Sequence, residues 1–452
     1  MVGELNATLP GGAAVRCESH PVFGTSLVAT RDIAIGDVVW AEEATLLRPG
    51  SSLLDYVKLL RDEPELAVKL APFMTLTPEA IDADPIFAPI KSCVDALRKA
   101  DRALVSKLVS AFELNGHGLT GDVAGLFPIA SKAAHSCNPN VVYQPVGPRG
   151  MQYVAIKPIA SGSLVFYSYI AREKLGYPSH VRQAFLQQAY YFTCGCTRCG
   201  APDDMRPLPC AQCKTHPMLY DPATTHWTCA TCGAVTPEEA IRDAVDLEEA
   251  IETQVLAFDL DPAAATADRV RAALAALRPL AAPGHWATIY LSRILVEMSL
   301  PPSSTYMAPP LSTAQVEVAT KEIARWCRDV LGTYNPVSAA MLVFTYRTVL
   351  YPMSARDADV SALLRDLFPF FQLNFGPNDE DVVAWRALVL TPAIRERGLE
   401  RCAKCRATGA GYAACGRCQC VAYCSKDCQV ADWKTGGHKR ACAALGSQRP
   451  LG

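Results

Sequence analysis

The chain has 452 residues, of which 50% are hydrophobic, and a formal net charge of −2. This length allows two to four domains with buried cores, and the nearly balanced charge excludes a general attraction to nucleic acid or an anionic membrane. The N-terminus lacks the basic and apolar stretches of a secretory signal, and no segment approaches the roughly 20 apolar residues that span a bilayer. We therefore expect a soluble, monomeric protein of the cytoplasm, the nucleus or both.

Strand and helix patterns alternate in the first half of the chain. Short β-prone runs separated by glycine turns occupy residues 13–48. Apolar residues then recur at helical spacing over residues 52–110, which predicts a helical insert. Strand patterns return between residues 125 and 170, in runs at 141–143, 153–156 and 164–167. The pattern predicts an α+β fold in which a β-rich domain surrounds the insert.

The second half of the chain is rich in alanine and leucine. Runs with helical periodicity are separated by proline and glycine, and they lie at 238–256, 265–278, 285–299, 312–331, 337–350, 358–373 and 380–390. Antiparallel helix pairs are the economical arrangement for such runs. No strict repeat is visible, so a TPR-like array remains an open alternative for this helical domain.

The 19 cysteines fall mainly into C-x-C and C-x-x-C pairs. In a chain without an export signal, such pairs are typical of tetrahedral zinc sites rather than of disulfide bridges. One group has the spacing of a zinc ribbon and is interpreted as a structural zinc site that connects neighbouring regions: Cys210, Cys213, Cys229 and Cys232. Four cysteines are interpreted as thiols that bind no metal: Cys17, Cys93, Cys327 and Cys420.

Eight potential ligands near the C-terminus suffice for two zinc ions. The segment also contains Tyr-Cys-Ser at 423–425 and Asp-Trp at 432–433, and it closely resembles the MYND finger. The resemblance implies two interleaved sites, one with Cys402, Cys405, Cys424 and Cys428, the other with Cys415, Cys418, His438 and Cys442.

MYND fingers bind short, often proline-rich peptides, so the resemblance implies a peptide or protein partner. Residues 401–442 contain eight Lys and Arg and two Asp, which leaves a local excess of six positive charges. Contact with nucleic acid is therefore a second reading, which we rank below the peptide partner, and a purely structural finger is a third.

Three separated motifs carry a second resemblance. They are Ala-His-Ser-Cys-Asn-Pro-Asn at 134–140, Phe-Tyr-Ser-Tyr-Ile at 166–170, and a segment at 190–199 that begins Tyr-Tyr-Phe and contains three cysteines. In this order, preceded by Gly-Thr-Ser-Leu at 24–27, they resemble the SET domain of the SET and MYND (SMYD-like) protein-lysine methyltransferases. The resemblance covers roughly residues 13–200, with gaps, in addition to the finger.

This resemblance implies methyl transfer from S-adenosylmethionine to a lysine side chain of a protein or peptide. It implies that Tyr169 and Tyr190 are catalytic and that Cys137 joins Cys194, Cys196 and Cys199 in a post-SET zinc site. With the ribbon and the finger, about four zinc ions are expected. The implied cofactor-binding residues are Gly24, Thr25, Ser26, Ala134, His135, Tyr169 and Phe192.

Two departures from the family pattern affect the cofactor site. The family has Asn before the His, where this chain has Ala134, and another family Asn corresponds to Ser110. Each lost hydrogen bond to a charged group costs roughly 1.5–3 kcal/mol unless Asn115, Asn138 or His117 compensates. A catalytically inactive interaction scaffold, possibly one acting in transcriptional regulation, is therefore the alternative function. A zinc-dependent transcription factor or RING-like ligase ranks third.

The sequence predicts four consecutive regions. They are a SET and post-SET domain at 13–200 with the insert at 51–110, a zinc ribbon at 201–236, a helical domain at 237–397 and a MYND-type finger at 398–446. In the relatives the finger interrupts the SET domain, whereas here it follows the helical domain.

Overall fold

The computed structural model describes most of the chain. The described residues are 2–9, 11–48, 53–83, 99–119, 123–300, 310–332, 335–345, 349–354, 357–375, 382, 402–405, 407, 412–416, 421–435, 438–439 and 442. The chain forms two compact units, the first made of Met1–Tyr169 and Gln183–Cys196, the second of Ile170–Arg182 and Thr197–Gly452. The finer domain bounds given above remain predictions.

The first unit contains the strands predicted around the insert. They are β1 (Val15–His20), β2 (Gly24–Ala29), β3 (Val38–Glu43), β4 (Leu46–Leu47), β5 (Gly116–Gly118), β6 (Ala124–Leu126), β7 (Ala134–His135), β8 (Val141–Val146), β9 (Gly150–Ala155) and β10 (Phe166–Tyr167). They pair in small sheets in the orders β1-β2, β3-β9-β8, β4-β6-β5 and β10-β7. The α+β class is confirmed.

The main core of this unit lies between these sheets. Buried and partly buried residues alternate at the start of β9, and the last four residues of β2 are all buried. Trp40 of β3 stacks on Tyr153 of β9 with ring centroids 3.9 Å apart, and both side chains are almost completely buried. Leu27, Phe127 and Val165 belong to the same cluster of buried residues. Because burial of each large side chain contributes roughly 1.5–3 kcal/mol, this cluster stabilises the unit without metal.

The predicted insert is helical and has a core of its own. Its helices are α2 (Leu53–Asp62), α3 (Leu66–Leu70), α4 (Pro78–Ala83) and α5 (Lys99–Asn115), and a short α1 (Val2–Thr8) precedes β1. Helix α5 buries Val105, Leu108 and Phe112, which follow the spacing of one helix face. The α1 helix was not predicted.

Helix α6 (Ser179–Tyr190) leads from the second unit into the last segment of the first. It was not predicted either, because its apolar residues form a weak pattern. Tyr191 directly after it has φ of 61°. This left-handed conformation is unusual for a residue with a side chain, and it ends the helix abruptly.

The zinc ribbon region forms an antiparallel sheet in the second unit. Its strands, in sheet order, are β11 (Asp203–Pro209), β12 (Pro217–Asp221), β13 (His226–Cys229) and β14 (Val235–Pro237). Trp227 is fully buried, and the guanidinium of Arg206 lies 5.1 Å from its ring centroid.

Arg206 also ties this sheet to the helices of the second unit. Its guanidinium donates to both carboxylate oxygens of Glu248 at 2.7 to 3.0 Å, and His285 Nε2 lies 3.1 Å from the same carboxylate. Burial favours the neutral carboxylic acid, but the hydrogen bonds from His285 and Arg206 outweigh it and lower the pKa of Glu248 to about 2.

The helices of the second unit follow the predicted runs closely. They are α7 (Arg242–Leu260), α8 (Ala267–Leu277), α9 (Trp286–Met298), α10 (Thr313–Asp329), α11 (Pro336–Thr345), α12 (Tyr351–Ser354) and α13 (Ala358–Phe375). Ser312 and Gln315 form a capping box that starts α10, and Thr266 caps α8. The run predicted at 380–390 lies outside the described residues except for Val382.

The C-terminal finger has few regular elements. Strands β15 (Ala413–Ala414) and β16 (Ala422–Tyr423) pair antiparallel, and α14 (Lys426–Thr435) follows. Among the described residues, no helix has the length and apolarity to cross a membrane.

Candidate active site and metal centres

Two short parallel strands bring the separated motifs together. Phe166 of β10 pairs with Ala134 of β7, Tyr167 pairs with His135, and the backbone N–H of Ser136 donates to the Tyr167 carbonyl at 2.9 Å. The side chain of Asn140 fixes the approach to β10, since it donates to the Leu164 carbonyl at 3.0 Å and accepts from the Phe166 N–H at 2.8 Å.

The two tyrosines predicted to be catalytic lie side by side. Their ring centroids are 5.1 Å apart. The Tyr169 hydroxyl donates to the Ala133 carbonyl at 2.9 Å, and the Tyr190 hydroxyl donates to the Tyr169 carbonyl at 3.1 Å. Because each hydrogen is committed to a backbone carbonyl, the oxygen lone pairs remain available to accept from a ligand. Burial raises the pKa of both phenols, so they stay neutral at physiological pH.

Both ring nitrogens of His135 already have protein partners. Nδ1 accepts the backbone N–H of Tyr169 at 3.0 Å, so Nε2 carries the hydrogen and points at Cys137 Sγ, 3.4 Å away. The imidazole therefore connects the tyrosine segment with a cysteine of the first cluster, as side chains around metal ligands commonly do. A contact from His135 to the cofactor would then come from its backbone.

Phe192 lies beside the same group of rings. Its centroid is 6.2 Å from that of Tyr169 and 5.9 Å from that of His135, in edge-on arrangements. The left-handed residue Tyr191 separates Phe192 from Tyr190, and the sharp change of chain direction lets both neighbours contribute to the site.

The glycine turn predicted to bind cofactor begins β2. Gly24 has φ of +65°, and a Cβ there would meet no atom within 4 Å, so its backbone is open to a ligand. Thr25 is partly exposed, and Ser26 is buried with its hydroxyl facing the turn. Phe23, which sequence analysis did not select, packs edge-on to Phe166 at 5.6 Å.

Sequence analysis did not bring together a group of polar aromatic residues beside Tyr169, although it named His117 for another role. His117, Tyr143, Tyr153 and Tyr167 come from four different strands, and their rings contact one another. The rings of Tyr167 and Tyr169 are 5.0 Å apart. One tyrosine in each of β8 and β9 was the available signal, but periodicity does not reveal which strands become neighbours.

Ser110, which stands at one missing-asparagine position, and the three residues suggested to compensate are engaged elsewhere. Ser110 lies within α5, and its hydroxyl donates to the Ser106 carbonyl and accepts from the Leu76 N–H. Asn115 donates to the Met74 and Ala111 carbonyls. His117 bonds Tyr153, and Asn138 accepts from Lys157. Side-chain compensation for Ala134 is therefore not preformed among these residues.

The first cysteine cluster comes together as expected. The sulfur atoms of Cys137, Cys194, Cys196 and Cys199 lie within 4.8 Å of one another. Gln183 fixes Cys194, since its amide donates to the Cys194 carbonyl and accepts the Cys194 N–H, both at 2.7 Å.

Three further clusters match the predicted ligand sets. Within 4.8 Å lie Cys210, Cys213, Cys229 and Cys232, then Cys402, Cys405, Cys424 and Cys428, and then Cys415, His438 and Cys442. Cys418, the fourth ligand predicted for the last set, lies outside the described residues, as does Cys420.

The sulfur geometry fits tetrahedral zinc. Pairs in these clusters are 3.4 to 3.8 Å apart, as for Cys210 with Cys232 and Cys405 with Cys424. A tetrahedron with zinc–sulfur bonds of about 2.3 Å has edges of about 3.8 Å, whereas a disulfide bond is about 2 Å long. Both the number and the kind of donors therefore suit zinc.

Comparison with known proteins gives two family matches. The SET domain model matches residues 24–170, and the MYND finger model matches residues 402–442. The MYND match lies near the C-terminus, after the helical region, as the ligand spacing predicted.

The relatives that match the chain include lysine methyltransferases. The N-lysine methyltransferase SMYD2 of Gallus gallus is 34% identical over 90 residues, which cover 20% of this chain and 20% of that protein. The Histone-lysine N-methyltransferase ASHR1 of Arabidopsis thaliana is 32% identical over 165 residues, which cover 33% of each protein. The chain thus spans only about a fifth to a third of the length of these relatives.

A solved structure of the SET domain of LSMT bound to lysine and AdoHcy is also similar. It is 12% identical and covers 41% of this chain and 54% of that chain, with a TM-score of 0.29.

Proposed function

Because the chain contains a SET domain at 24–170 and a C-terminal MYND finger at 402–442, we propose that it is an S-adenosylmethionine-dependent protein-lysine N-methyltransferase. The observation that carries the proposal is the pairing of Tyr169 and Tyr190, whose hydroxyl hydrogens are committed to backbone carbonyls while their oxygens remain free to accept.

Bound S-adenosylmethionine would supply a methyl group activated by a sulfonium. The task of the protein is to align a neutral amine with that group and to exclude water. The rings of Tyr169, Tyr190 and Phe192 form an apolar wall that favours the neutral amine by desolvation. The phenol oxygens can accept weak C–H···O contacts from a positively polarised methyl group, which stabilises the transition state.

The residues suited to hold the cofactor act mainly through their backbone. The peptide groups of Gly24 and of the Ala134–His135 pair are candidates, and Phe192 offers a ring face. A site built in this way tolerates Ala134, because backbone contacts do not depend on side-chain identity.

The cysteine clusters would hold zinc in structural roles. Each has thiolate or imidazole donors only, and the sets with four described donors leave no open position for a reacting group. We propose about four ions per chain, with Cys418 completing the last set. For the finger we propose a proline-rich peptide partner, in preference to nucleic acid.

Two measurements on purified full-length chain test the enzymatic proposal. Isothermal calorimetry with S-adenosylmethionine reports cofactor binding, and transfer of a radiolabelled methyl group to a mixture of synthetic lysine-containing peptides reports activity. We expect binding at micromolar to low millimolar concentration and label on lysine. Cofactor binding without label on lysine in any peptide would contradict the enzymatic proposal.

The alternative is an interaction scaffold without catalysis. Ala134, where related chains carry Asn, favours it, because that position cannot donate a side-chain hydrogen bond. The same calorimetry separates the two functions, since a scaffold that has lost the pocket fails to bind S-adenosylmethionine at millimolar concentration. Peptide capture by the finger would persist in that case.

A further inference from the structure

The first unit contains a cavity that the proposed reaction does not use. It has a volume of about 930 Å³ and is bounded by α1, β3, α3 and the facing ends of β8 and β9. None of its described lining residues belongs to the tyrosine pair, the glycine turn or the cysteine clusters. Ligand pockets in proteins commonly measure about 300–1,000 Å³, so the cavity has the size of a site for one small organic molecule.

The wall of the cavity is mainly apolar. Leu5 of α1 and Met151 of β9 line it with buried side chains. Val68 of α3 and Val146 of β8 also line it, but their side chains are 71% and 48% exposed. Apolar side chains left open to solvent around a cavity are typical of a ligand site, because a bound apolar group removes their surface from water.

Three acidic side chains face the same space. Glu4 of α1 and Glu42 and Glu43 of β3 line the cavity, and none of its described lining residues is basic. An apolar wall that carries only acidic groups is complementary to an apolar molecule with a positive charge. The same wall repels an anion, and a neutral molecule makes no use of the charges.

The fold fixes the carboxylate of Glu42 in the cavity wall. Its Oε1 accepts the backbone N–H of Ile129 at 2.8 Å, and its Oε2 accepts that of Ala130 at 3.0 Å. An ionised carboxylate has about four lone-pair sites, so its oxygens can accept further hydrogen bonds. Glu42 can therefore bind a donor inside the cavity without giving up the two bonds that orient it.

The cations on neighbouring segments are committed to other groups. Lys132 attracts the Glu42 carboxylate, but its ammonium donates to the Pro72 carbonyl. Arg149 donates to the Ala44 carbonyl at 3.1 Å. Glu42 forms no ion pair with any residue that the structure describes. The position of a directly bonded cation is thus left for a ligand.

Burial makes the charge of Glu42 costly in the absence of such a cation. It raises the pKa of Glu42 to about 7, although the two backbone hydrogen bonds oppose the shift. Cys17 and Tyr153 also act on this carboxylate, and burial raises the pKa of both, so they stay neutral near pH 7. Glu4 and Glu43 are the other acids that face it. A cation in the cavity would stabilise the ionised form.

We propose that this cavity binds a small organic cation, an apolar molecule with one protonated amine that donates to Glu42. The apolar part covers Val68 and Val146, and the ammonium supplies the positive charge that the described wall lacks. This inference is independent of the proposed methyltransferase function.

Three compounds that share one apolar body test the charge preference: 4-phenylbutylamine, 4-phenylbutan-1-ol and 4-phenylbutanoate. Binding to the full-length chain is followed by NMR of methionine labelled with ¹³C in its methyl group, and the Met151 signal is assigned by its loss in Met151→Leu. We expect the amine to shift this signal and to bind about tenfold more tightly than the alcohol. The carboxylate should leave the signal unchanged at millimolar concentration. Equal affinity for amine and alcohol, or a Met151 signal that ignores the amine, overturns the inference.

The affinity for the amine should also depend on pH. The amine stays protonated, because alkylamines such as the lysine side chain have a pKa of about 10.4. With a pKa of about 7, the ionised fraction of Glu42 rises from about a tenth at pH 6 to about nine tenths at pH 8. Affinity should therefore rise about tenfold over this range in wild type and stay low and constant in Glu42→Gln. A wild-type affinity that is constant or falls contradicts the proposal.

Two further variants keep the test valid if Glu42→Gln is poorly folded. Val146→Lys places a cation at an exposed position of the wall and should weaken amine binding about tenfold by repulsion. Glu18→Gln is the matched control, since Glu18 is also a partly buried glutamate on a strand but lies outside this cavity. It should bind the amine as wild type does. Wild-type affinity in Val146→Lys, or an equal loss in Glu18→Gln, overturns the site.

Discussion

The first unit surrounds Trp40 and Tyr153 with a continuous cluster of buried side chains, whereas the hydrophobic cluster in the described part of the finger has five buried members, three of them cysteines. The ribbon is intermediate, because Trp227 and Met218 pack with its cysteines. The difference shows where folding free energy comes from in each region. The first unit is stabilised by apolar burial, while the finger depends on metal binding.

Removal of zinc should have the largest effect on folding, and it should affect the finger and the first unit differently. Metal analysis of protein purified without chelator should give about four zinc ions per chain. A strong chelator should then unfold the finger, because zinc binding to such modules contributes about 10 kcal/mol or more. Hydrogen exchange followed by mass spectrometry should show lost protection at 421–435 and retained protection at 141–155. Equal loss in both segments, or about two zinc ions, would contradict this division.

Cys137→Ser tests whether the first unit also depends on metal. Cys137 precedes its nearest partner ligand by 57 residues, so loss of the site removes a long-range constraint on the unfolded chain and leaves three thiolates without their fourth. We expect a fall in melting temperature and the loss of about one zinc ion. Cys327→Ser is the control, since Cys327 is buried outside the described clusters. The same melting temperature for both variants, with unchanged zinc content, would refute the shared site.

The ribbon should also depend on the ion pair between Arg206 and Glu248. Because the folded pKa of Glu248, about 2, lies below its unfolded value, the carboxylate contributes stability that is complete above about pH 5 and disappears as the pH falls towards 2. Glu248→Gln should cost about 3 kcal/mol at pH 7, and the difference from wild type should narrow at pH 3 to 4. Urea unfolding of both proteins across this range measures it; a pH-independent difference would argue against the assigned charge.

Tyr169→Phe tests whether the first unit, which is stabilised by apolar burial, catalyses methyl transfer. The hydroxyl is proposed to act on the methyl group in transit, so its loss should appear in turnover, about a hundredfold, and leave cofactor affinity unchanged. Methyl transfer to the peptide mixture and calorimetry with S-adenosylmethionine measure the two effects. A loss of affinity as large as the loss of turnover would assign Tyr169 to cofactor binding instead.

Ala134→Asn should produce the smallest effect, and a favourable one. The substitution restores a donor that related chains carry, so cofactor binding should tighten about tenfold, or about 1.4 kcal/mol. Calorimetry of the variant beside wild type gives the ratio. If neither protein binds S-adenosylmethionine at millimolar concentration, the methyltransferase proposal is falsified and the scaffold takes its place.

Metal chemistry made parts of the molecule predictable at long range. Cys137 could be assigned to Cys194, Cys196 and Cys199 because zinc requires four donors and a family resemblance indicated the fourth. Helices such as α10 were predictable because periodicity and capping residues agree locally.

Other features depend on tertiary contacts that no local pattern encodes. Ser110 is an example. It was aligned with a family Asn, but it lies buried in a helix, where its hydroxyl hydrogen-bonds the backbone of Ser106 and Leu76. The network of His117, Tyr153 and Tyr167 joins three strands far apart in sequence. Periodicity predicts each strand but not its neighbours, so these ring contacts could be seen only in the folded chain.

The left-handed backbone at Tyr191 has a consequence for how this chain tolerates change. At φ of 61°, valine, isoleucine or threonine would clash with the neighbouring peptide groups, whereas glycine or asparagine adopts the conformation readily. Natural variants at this position should therefore be limited by backbone geometry. Glycine there would keep the turn, but it would increase the conformational entropy of the unfolded chain. The residue that fits the backbone best would therefore lower the free energy of unfolding.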